Sequence, residues 1–393
     1  MTIRFLDLFC GAGGLSTGLE MAGWECVAGV DRHEDELATF GVAHKFAVPI
    51  CADIINDPSK RSMVVDLMRH RVNAVVGGPP CQGFSEAGDG KGKHDPRNGF
   101  PAFIRIIAGL NPSIFLFENV PGFKARHRDY YDWVIRQLAS LGYIISEWLL
   151  NAADYGVPQK RHRIIVVGTK TASLLEPQRS NAENGANGLL PWVGWGTCID
   201  WSVPCDKPLT KVVKKHLKKW FERHESRALL CSGKQGGGTY APPINEPDCP
   251  ALTLGTAHDD KLLVRLDSGD REHYGLSAYP VSRPAPTVNG TGGGPRHVIC
   301  THNGFDNCNP VAMPSEPAMT VSANTRPYHL CDLEKNWRQR HLLMTELAAI
   351  QSFPTGYPFS GNKTAVRRQI GNAVPPLLAK AIGQHIKANW RQP

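Results

Sequence analysis

The sequence predicts an α/β fold: a doubly wound, Rossmann-like sheet that is mainly parallel, with a smaller β-rich domain inserted. Three observations support this prediction. Short apolar runs alternate with helical segments over about the first 168 residues, as in successive βαβ units. From about residue 169 to 338 the chain is rich in Gly, Pro, Asn and Ser, and helical periodicity returns after Trp337. A chain of 393 residues is also too long for one ordinary core.

In the first part of the chain, each expected strand is a short apolar run that stops at polar or glycine residues. These strands cover residues 4–9, 25–30, 72–76, 114–117, 144–149 and 163–167, with another that ends at Asp53. Helices are expected from Leu15, from Glu34, and over residues 102–110 and 130–141. Such alternation brings the carboxyl ends of the strands to one sheet edge, where open α/β sheets bind ligands.

The C-terminal region is predicted to form two further helices. Residues 345–350 have helical periodicity, and a Pro-Pro pair begins a second helix with Leu378, Ile382 and Ile386 on one face. Because an α/β pattern resumes after a β-rich insert, we expect this region to fold back onto the first domain. The expected boundaries are a first domain over residues 1–185, an inserted domain over 186–335 and a returning segment over 336–393.

A repeated motif predicts that the insert is β-rich. Pro-Ala-x-Thr units begin at Pro250 (with Leu in the third place), Pro284 and Pro317, with spacings of 34 and 33 residues. Each unit leads into a short β-prone run that ends in turn residues, which is typical of related turn-and-strand units.

The formal net charge of +8 is concentrated in one stretch of the insert. Residues 207–234 contain nine Lys or Arg and two Glu, a balance of +7. Val213, Leu217, Trp220 and Phe221 recur there at helical spacing, so the stretch is predicted to form an amphipathic helix with a basic outer face. Charge alone leaves two interpretations open for this face, a solvated surface or a contact for phosphate groups.

Composition argues against several classes of protein. No apolar run approaches the roughly 18 residues of a membrane span, and a strand expected by Ile3 leaves no room for a signal peptide. Eleven cysteines without a Cys-x-x-Cys pair argue against a disulfide framework, and Cys300, His302 and Cys308 lack the second pair of a zinc site. We therefore expect a cytoplasmic protein with no membrane contact and no metal.

A glycine-rich turn containing Gly11, Gly13 and Gly14 joins the first expected strand to the first helix. A backbone without side chains lets a nucleotide-like ligand approach the helix N-terminus. Asp31 and Asp53 end the next two strands, and Asp31 is placed to hold a ribose hydroxyl. The turn lacks the Gly-x-Gly-x-x-Gly spacing of pyrophosphate sites, which favours a ribose and adenine without phosphate and disfavours NAD.

A thiol and a carboxylate follow two of the expected strands. Cys81 comes after the run 73–76 and a Pro-Pro pair, and Glu118 comes directly after the run 113–117. Attack on a pyrimidine ring requires this combination of a nucleophile and an acid. Residues 82–98 then contain four glycines and three basic residues, which favours a loop that closes over a bound substrate.

Six motifs resemble, in the same order, those of the cytosine carbon-5 DNA methyltransferases. They are Phe9-x-Gly11-x-Gly13-Gly14, Pro79-Pro80-Cys81-Gln82, Glu118-Asn119-Val120, Gln159-Lys-Arg161-His-Arg163, the segment 340–354 and Gly371-Asn372-Ala-Val374. These motifs lie within about the first 168 and the last 54 residues. The resemblance says least about the insert, which falls where the family has its target-recognition domain.

The resemblance implies a reaction through a covalent adduct. The Cys81 thiolate adds to carbon 6 of a cytosine, and Glu118 hydrogen-bonds or protonates ring nitrogen 3. Arg163 contacts the base carbonyl, while Arg161 supports the site or the backbone. Carbon 5 then accepts the methyl group of S-adenosylmethionine, and loss of its proton expels Cys81. The cytosine must first be extruded from the duplex, at a cost of about a few kcal/mol.

The resemblance also implies which residues bind the cofactor and the DNA. The residues expected to line S-adenosylmethionine are Phe9, Gly11, Gly13, Gly14, Leu15, Asp31, Arg32, Asp53, Ile54, Pro79, Phe100, Asn372 and Val374. The residues expected to contact DNA are Gln82, Ser85, Lys91, Lys93, Arg97, Lys214, Lys215, Lys218 and Lys219. Arg32 departs from the family, which often has a bulky apolar residue there to stack on adenine.

The expected function is methylation of cytosine in a specific double-stranded DNA sequence by an enzyme of the compact bacterial or phage type. The expected enzyme acts as a monomer, and a cognate restriction endonuclease that recognises the same site is its expected partner. Two alternatives stay open at this point: a transfer-RNA cytosine-5 methyltransferase with the same catalytic motifs, and a non-catalytic DNA-binding relative. Intact Cys81, Glu118 and Arg163 argue against the non-catalytic relative.

Overall fold

The computed structural model describes residues 2–80, 98–200, 202–204, 207–208, 260–263, 297–302, 311–312, 318–319, 329–332 and 338–391. Several residues singled out from the sequence lie outside the described residues. They are the nucleophile candidate Cys81, the loop residues Gln82, Ser85, Lys91, Lys93 and Arg97, and the basic-stretch residues Lys214, Lys215, Lys218 and Lys219. The repeat units at Pro250 and Pro284 also lie outside them.

The strands are numbered in chain order. They are β1 (Arg4–Leu8), β2 (Glu25–Asp31), β3 (Val48–Cys51), β4 (Ala74–Gly77), β5 (Ile114–Asn119), β6 (Ile144–Asn151), β7 (Gln159–Lys160), β8 (His162–Thr169), β9 (Asn181–Ala182), β10 (Leu190–Pro191), β11 (Lys207–Pro208), β12 (Asp260–Leu263), β13 (His297–His302), β14 (Val311–Ala312), β15 (Ala318–Met319), β16 (His329–Asp332) and β17 (Arg338–His341).

The α-helices follow the same numbering. They are α1 (Gly14–Met21), α2 (Glu34–Ala43), α3 (Pro58–Met68), α4 (Phe100–Leu110), α5 (Pro121–Arg126), α6 (Arg128–Ser140), α7 (Met344–Ile350), α8 (Lys363–Asn372) and α9 (Pro376–Asn389). Within the described ranges, no helix is both long enough and apolar enough to cross a membrane.

The central sheet has seven strands in the order β3-β2-β1-β4-β5-β8-β6. The five strands from β3 to β5 run parallel, whereas β8 is antiparallel to both β5 and β6. The strand order reverses beside β1, since β2 and β4 lie on either side of it. The predicted doubly wound α/β fold is therefore confirmed, as a mixed sheet, and its switch point at β1 is where such sheets bind ligands.

Three helices of this fold were absent from the sequence-based expectation, α3, α5 and α8. α3 has no clear apolar stripe, because it buries Arg61, Val64 and Met68, one of which is charged. α5 has only six residues, and α8 buries Arg367 and Gln369 beside its apolar residues. Both α3 and α8 begin instead with a strong cap. The carboxylate of Asp57 accepts hydrogen bonds from the backbone N–H groups of Ser59 and Lys60, and Asn362 caps α8 in the same way.

Aromatic side chains fill the core on one side of the sheet. The ring of Phe100 stacks on Phe123 with centroids 4.7 Å apart, and Phe115 meets Tyr143 edge to face at 4.9 Å. Fully burying each such side chain contributes about 1.5–3 kcal/mol. The short apolar runs of β4 and β5 are buried along nearly their whole length, which is why they were readily predicted.

The chain divides into two compact units. Unit 1 contains Met1–Tyr155, His162–Arg179 and Ser352–Pro393. In this unit the C-terminal segment returns to the glycine turn, because α9 packs along α1 at a point where both backbones come close. A Cβ atom at Gly18 would overlap the carbonyl oxygen of Pro376, and one at Gly14 would lie 2.5 Å from the carbonyl oxygen of Val374.

Unit 2 contains Gly156–Arg161 and Ser180–Gln351. Its largest sheet is antiparallel, in the order β11-β17-β16-β13-β12, with β14 paired to β13. The parallel pairs β7-β15 and β9-β10 complete the described strands of this unit. Residues 156–161, 180–185 and 338–351 thus group with the β-rich unit, whereas the sequence placed them with the α/β domain.

A buried ion pair explains why residues 338–351 group with unit 2. Arg340 forms a bidentate pair with Glu346, with Nη–Oε distances of 2.8 and 2.7 Å. Its guanidinium also donates to the carbonyl oxygens of Asp200 and Val203, at 3.0 and 3.1 Å. The pair therefore joins β17 and the start of α7 to the segment around residue 200.

Candidate active site

The turn between β1 and α1 has a backbone conformation that glycine favours. Phe9, Gly11 and Gly13 have φ angles of 60°, 53° and 86°. A Cβ atom at Gly13 would overlap the ring of His44, whereas one at Gly11 would meet nothing within 4 Å. The turn is thus closely packed at Gly13 and open at Gly11, where a ligand has room to approach the backbone.

The Asp31 carboxylate, at the end of β2, is hydrogen-bonded to this turn. Its Oδ2 accepts the backbone N–H of Gly11 at 3.0 Å, and its Oδ1 accepts those of Arg32 and His33 at 2.7 and 3.0 Å. A carboxylate can accept about four hydrogen bonds. Asp31 is partly exposed, so it retains capacity to accept one from a hydroxyl group at the open side of the turn.

Asp53 lies just beyond β3 with its side chain ordered by local hydrogen bonds. Its carboxylate accepts the backbone N–H groups of Ile55 and Asn56 and the side-chain amide of Asn56, at 2.8–3.1 Å. Partial burial raises the pKa of Asp53, but these hydrogen bonds outweigh it and the pKa lies below its ordinary value. Asp53 is therefore an anionic acceptor at neutral pH, and the neighbouring Ile54 is buried.

The remaining cofactor candidates differ in exposure. Leu15, Pro79 and Val374 are buried, whereas Arg32 and Asn372 are exposed. Phe100 is fully buried against Phe117 and Phe123, within the core.

Glu118 and Arg163 meet at the ends of β5 and β8. Arg163 Nε lies 2.6 Å from Glu118 Oε1, and the two side chains are only 7% and 12% exposed. A Cβ atom at Gly78 would lie 3.6 Å from Glu118 Oε2, so the carboxylate borders the segment that leads from β4 toward Cys81. Of the four catalytic candidates, the structure brings these two together.

Arg161 is the other catalytic candidate among the described residues. It is buried, and it belongs to unit 2, whereas Arg163 belongs to unit 1. The two arginines of the Gln-Lys-Arg-His-Arg motif thus fall on either side of a boundary between compact units.

Asn119 has a positioning role that sequence reasoning missed. Its side-chain amide donates to the carbonyl oxygen of Pro79 at 3.0 Å, and its Oδ1 accepts the backbone N–H of Val120 at 2.9 Å. Asn119 therefore ties the end of β5 to the residues just before Cys81. Its place in the Glu118-Asn119-Val120 motif was the available signal.

Tyr357 and His44 were also missed, although both lie against the glycine turn. The Tyr357 hydroxyl donates to the carbonyl oxygen of Ala12 at 2.6 Å, and His44 Nδ1 lies 2.7 Å from a carboxylate oxygen of Glu20. Tyr357 is 345 residues from Ala12 in the chain, so no local pattern could have connected the two.

Among the described residues, no group of three His, Cys, Asp or Glu side chains could hold a metal ion. The candidate site of this part of the chain is thus made of a glycine turn, two acidic strand ends and the Glu118–Arg163 pair.

Comparison with known proteins bears on both the sequence and the fold. The family described as C-5 cytosine-specific DNA methylase matches residues 3–191 and 279–388. The Type II methyltransferase M.XorII of Xanthomonas oryzae pv. oryzae is 31% identical, over 99% of this chain and 85% of its own. The Type II methyltransferase M.FnuDI of Fusobacterium nucleatum is 36% identical, over 98% and 94%.

Solved structures support the fold. The Entamoeba histolytica methyltransferase EhMeth aligns over the whole of both chains with a TM-score of 0.56 and 15% identity. The S. pombe Dnmt2 methyltransferase aligns over 99% of this chain and 100% of its own, with a TM-score of 0.56 and 14% identity.

Proposed function

The chain belongs to the C-5 cytosine-specific DNA methylase family, and from that premise we propose how its residues divide the reaction among them. The protein is a DNA cytosine methyltransferase, which transfers a methyl group from S-adenosylmethionine to carbon 5 of cytosine. The observation that carries the proposal is the Glu118–Arg163 pair beside the segment that leads to Cys81.

The cofactor is proposed to bind at the open side of the glycine turn. Bound S-adenosylmethionine supplies an electrophilic methyl group on its sulfonium. Gly11 leaves room there, Asp31 offers an acceptor for a ribose hydroxyl, and Asp53 supplies a second anionic acceptor. Phe9, Gly13, Gly14, Leu15, Arg32, Ile54, Pro79, Phe100, Asn372 and Val374 are proposed to complete the site.

Cys81 is proposed as the nucleophile. Its thiolate forms a bond to carbon 6 of the cytosine, which breaks the aromaticity of the ring and makes carbon 5 nucleophilic. Glu118 supplies a proton or a hydrogen bond to ring nitrogen 3, where negative charge develops. After methylation, loss of the carbon 5 proton re-forms the ring double bond and expels Cys81 as a thiolate.

Arg163 and Arg161 are proposed to support this chemistry. The guanidinium of Arg163 is planar and offers several donors, so it can pair with Glu118 and also donate to the base carbonyl. Arg161 is proposed to support the site or the backbone around it. Asn119 joins them as a positioning residue for the Pro79-Pro80-Cys81 segment.

DNA binding is proposed to involve a closing loop and the inserted domain. The cytosine leaves the duplex stack, and Gln82, Ser85, Lys91, Lys93 and Arg97 contact the DNA as the loop closes. Lys214, Lys215, Lys218 and Lys219 neutralise phosphates without reading bases. Residues 186–335 are proposed as the target-recognition domain, and residues 1–185 and 336–393 as the catalytic domain.

The relatives support a proposal for the biological setting. Because the relatives are Type II methyltransferases, the protein is proposed to act in a restriction-modification system and to protect sites that a cognate endonuclease cleaves. It is also proposed to act as a monomer in the cytoplasm. The transfer-RNA alternative has less support, because the matching family is described as a DNA methylase and the relatives reported above are Type II methyltransferases.

A crosslinking experiment tests the proposed mechanism. Duplex DNA with 5-fluorocytosine at the target cannot lose a proton from carbon 5, so the Cys81 adduct should persist and run as a protein–DNA band in a denaturing gel when S-adenosylmethionine is present. Cys81→Ser should form no such band. A wild-type protein that never crosslinks, or a Cys81→Ser variant that still methylates, would refute the covalent mechanism. Labelled methyl transfer to transfer RNA but not to DNA would favour the alternative substrate.

A further inference from the structure

The glycine turn is supported on one side by β2 and on another by the C-terminal segment. From β2, the carbonyl oxygen of Val30 accepts the backbone N–H of Cys10 at 3.1 Å, and Asp31 accepts that of Gly11. From the C-terminal segment, the Tyr357 hydroxyl donates to the carbonyl oxygen of Ala12 at 2.6 Å. Successive peptide groups of the turn are thus held from different parts of the chain.

The turn needs this support because its backbone conformation is unfavourable. Phe9 has a φ of 60°, a value that residues with a side chain rarely adopt, and it alternates with the left-handed Gly11 and Gly13. Such a conformation persists only where the surrounding structure holds it. A hydrogen bond to the Ala12 carbonyl restrains the peptide group that joins Ala12 to Gly13.

The Tyr357 hydroxyl is itself fixed in place. Its ring packs against Phe353 and Phe359, with centroids 4.6 and 5.0 Å apart, and its oxygen lies 3.1 Å from Thr17 Oγ1. Since Tyr357 donates its proton to Ala12, the Thr17 hydroxyl donates to Tyr357. Burial raises the pKa of Tyr357 well above its ordinary value, so the phenol stays a neutral donor.

A buried histidine, His44, lies next to the Tyr357 and Thr17 hydroxyl groups. His44 Nε2 lies 3.5 Å from both the Tyr357 and the Thr17 hydroxyl oxygens, while Nδ1 pairs with Glu20 at 2.7 Å. The His44 ring also occupies the space that a side chain at Gly13 would need. The turn, α1, α2 and the C-terminal segment therefore meet around one hydroxyl group.

We propose that Tyr357 is a positioning residue for the methyl donor, whose hydroxyl holds the Ala12 carbonyl and thereby keeps Gly11 and Asp31 in the arrangement that binds the cofactor. This inference rests on the proposed placement of S-adenosylmethionine at the glycine turn. Within the described part of the chain, the Tyr357 hydroxyl contacts the turn at Ala12, α1 at Thr17 and the end of α2 at His44. Loss of the hydroxyl should therefore weaken cofactor binding and leave the chemical step unchanged.

The test compares Tyr357→Phe with Tyr143→Phe. Tyr143 is a matched control because its buried hydroxyl also donates to one backbone carbonyl, that of Pro112, at 2.6 Å, and lies outside the proposed cofactor site. Calorimetry gives the Kd of S-adenosylhomocysteine, and methylation of unmodified genomic DNA gives kcat and the KM for S-adenosylmethionine. Tyr357→Phe should raise Kd and KM by about 3- to 10-fold, the value of one hydrogen bond, with kcat unchanged. Tyr143→Phe should change neither Kd nor KM, although it should lower Tm by about as much as Tyr357→Phe does.

Asp31→Ala separates this inference from the proposed cofactor site. If Asp31→Ala weakens S-adenosylhomocysteine binding but Tyr357→Phe does not, the role of Tyr357 is refuted and the site stands. If neither variant alters Kd, the placement of the cofactor at the turn is wrong, and the inference falls with it. Equal effects of Tyr357→Phe and Tyr143→Phe on Kd would also refute a specific role. Should Tyr357→Phe fail to fold, Thr17→Val removes the donor to Tyr357, and an unchanged Kd in that variant would overturn the inference.

Discussion

Arg163 and Glu118 are diagonal neighbours on one face of an antiparallel strand pair, with Nε and Oε1 2.6 Å apart. The register pairs Glu118 with Ile165, so Arg163, two residues earlier in β8, points to the same face. The reversed direction of β8 is thus what brings the guanidinium to the carboxylate. In a wholly parallel sheet, the start of β8 would lie at the opposite edge.

Glu118→Gln should abolish most of the activity. The amide keeps the size of the carboxyl group but cannot transfer a proton to ring nitrogen 3, so the single-turnover methylation rate should fall by about 10²- to 10⁴-fold. Glu147→Gln is the matched control, because Glu147 is also a strand glutamate paired with a cation, Lys124 at 2.5 Å. Its rate should stay within about twofold of wild type. A wild-type rate for Glu118→Gln would rule out a proton-transfer role.

Gly18→Ala should destabilise unit 1. The added methyl group would overlap the Pro376 carbonyl and lie against Ala379, and relief requires α9 to move away from α1. Overpacking of this kind costs about 1–3 kcal/mol, measurable as a lower free energy of unfolding in urea. Gly122→Ala is the control, since a Cβ atom there meets nothing within 4 Å and alanine favours the helix. Equal stability of the two variants would mean that α9 does not depend on this close approach.

Arg340→Leu should destabilise unit 2 strongly. Arg340 and Glu346 are both buried, and Glu346 also accepts the backbone N–H groups of Leu343 and Asp200 at 2.8 and 3.0 Å. Removing one partner leaves a buried charge without its counter-ion, at a cost of about 3–5 kcal/mol in urea unfolding. Arg128→Ala breaks an exposed pair with Asp132 on α6 and should leave the free energy of unfolding almost unchanged. Comparable losses in the two variants would contradict a structural role for the buried pair.

Asp7→Asn should change how stability depends on pH. Burial raises the pKa of Asp7 from 3.8 to about 7, with Asp31 adding to the rise and a hydrogen bond from Ser16 opposing it. From about pH 4 to 7 the unfolded chain has released this proton while the folded chain keeps it. The contribution of Asp7 to the free energy of unfolding therefore falls with rising pH across this window and levels off above it.

Asparagine does not titrate, so the free energy of unfolding of the variant should not decrease in this way with rising pH. Between pH 5 and pH 8, the unfolding free energy of Asp7→Asn relative to wild type should rise by about 2–3 kcal/mol, from about 1.4 kcal/mol per pKa unit. Urea unfolding of both proteins at the two pH values measures this difference, because all other groups titrate in both. A difference that stays constant would show that the Asp7 pKa is not raised.

Replacing Lys214, Lys215, Lys218 and Lys219 by alanine should weaken DNA binding in a salt-dependent way. Each phosphate contact contributes about 0.9 to the slope of log K against log salt concentration, so the quadruple variant should be shallower by about 3–4. Fluorescence anisotropy with a labelled duplex measures the slope. The control is the double variant Lys45→Ala, Lys60→Ala, in which Lys45 lies between α2 and β3 and Lys60 lies in α3. An unchanged slope in the quadruple variant would indicate that the basic stretch is a solvated surface.

Much of the architecture could be predicted because its determinants are local. The runs that became β1, β4 and β5 are apolar and end in polar or glycine residues, and the family motifs keep Cys81, Glu118 and Arg163 recognisable without coordinates. The missed helix α3 lacks an apolar stripe, α5 has only six residues, and α8 buries charged and polar residues beside its apolar ones, so periodicity did not reveal them.

What the amino-acid sequence determined by itself was the α/β class, the family and the chemistry of the reacting groups, since these depend on short patterns and residue types. Only the tertiary structure decided that β8 runs antiparallel, that Tyr357 supports Ala12, and that Arg340 and Glu346 belong with the β-rich unit. These are contacts between strands or between segments separated by up to 345 residues. They arise from the packing of the whole chain, in which a buried polar group takes whichever partner the fold brings within reach.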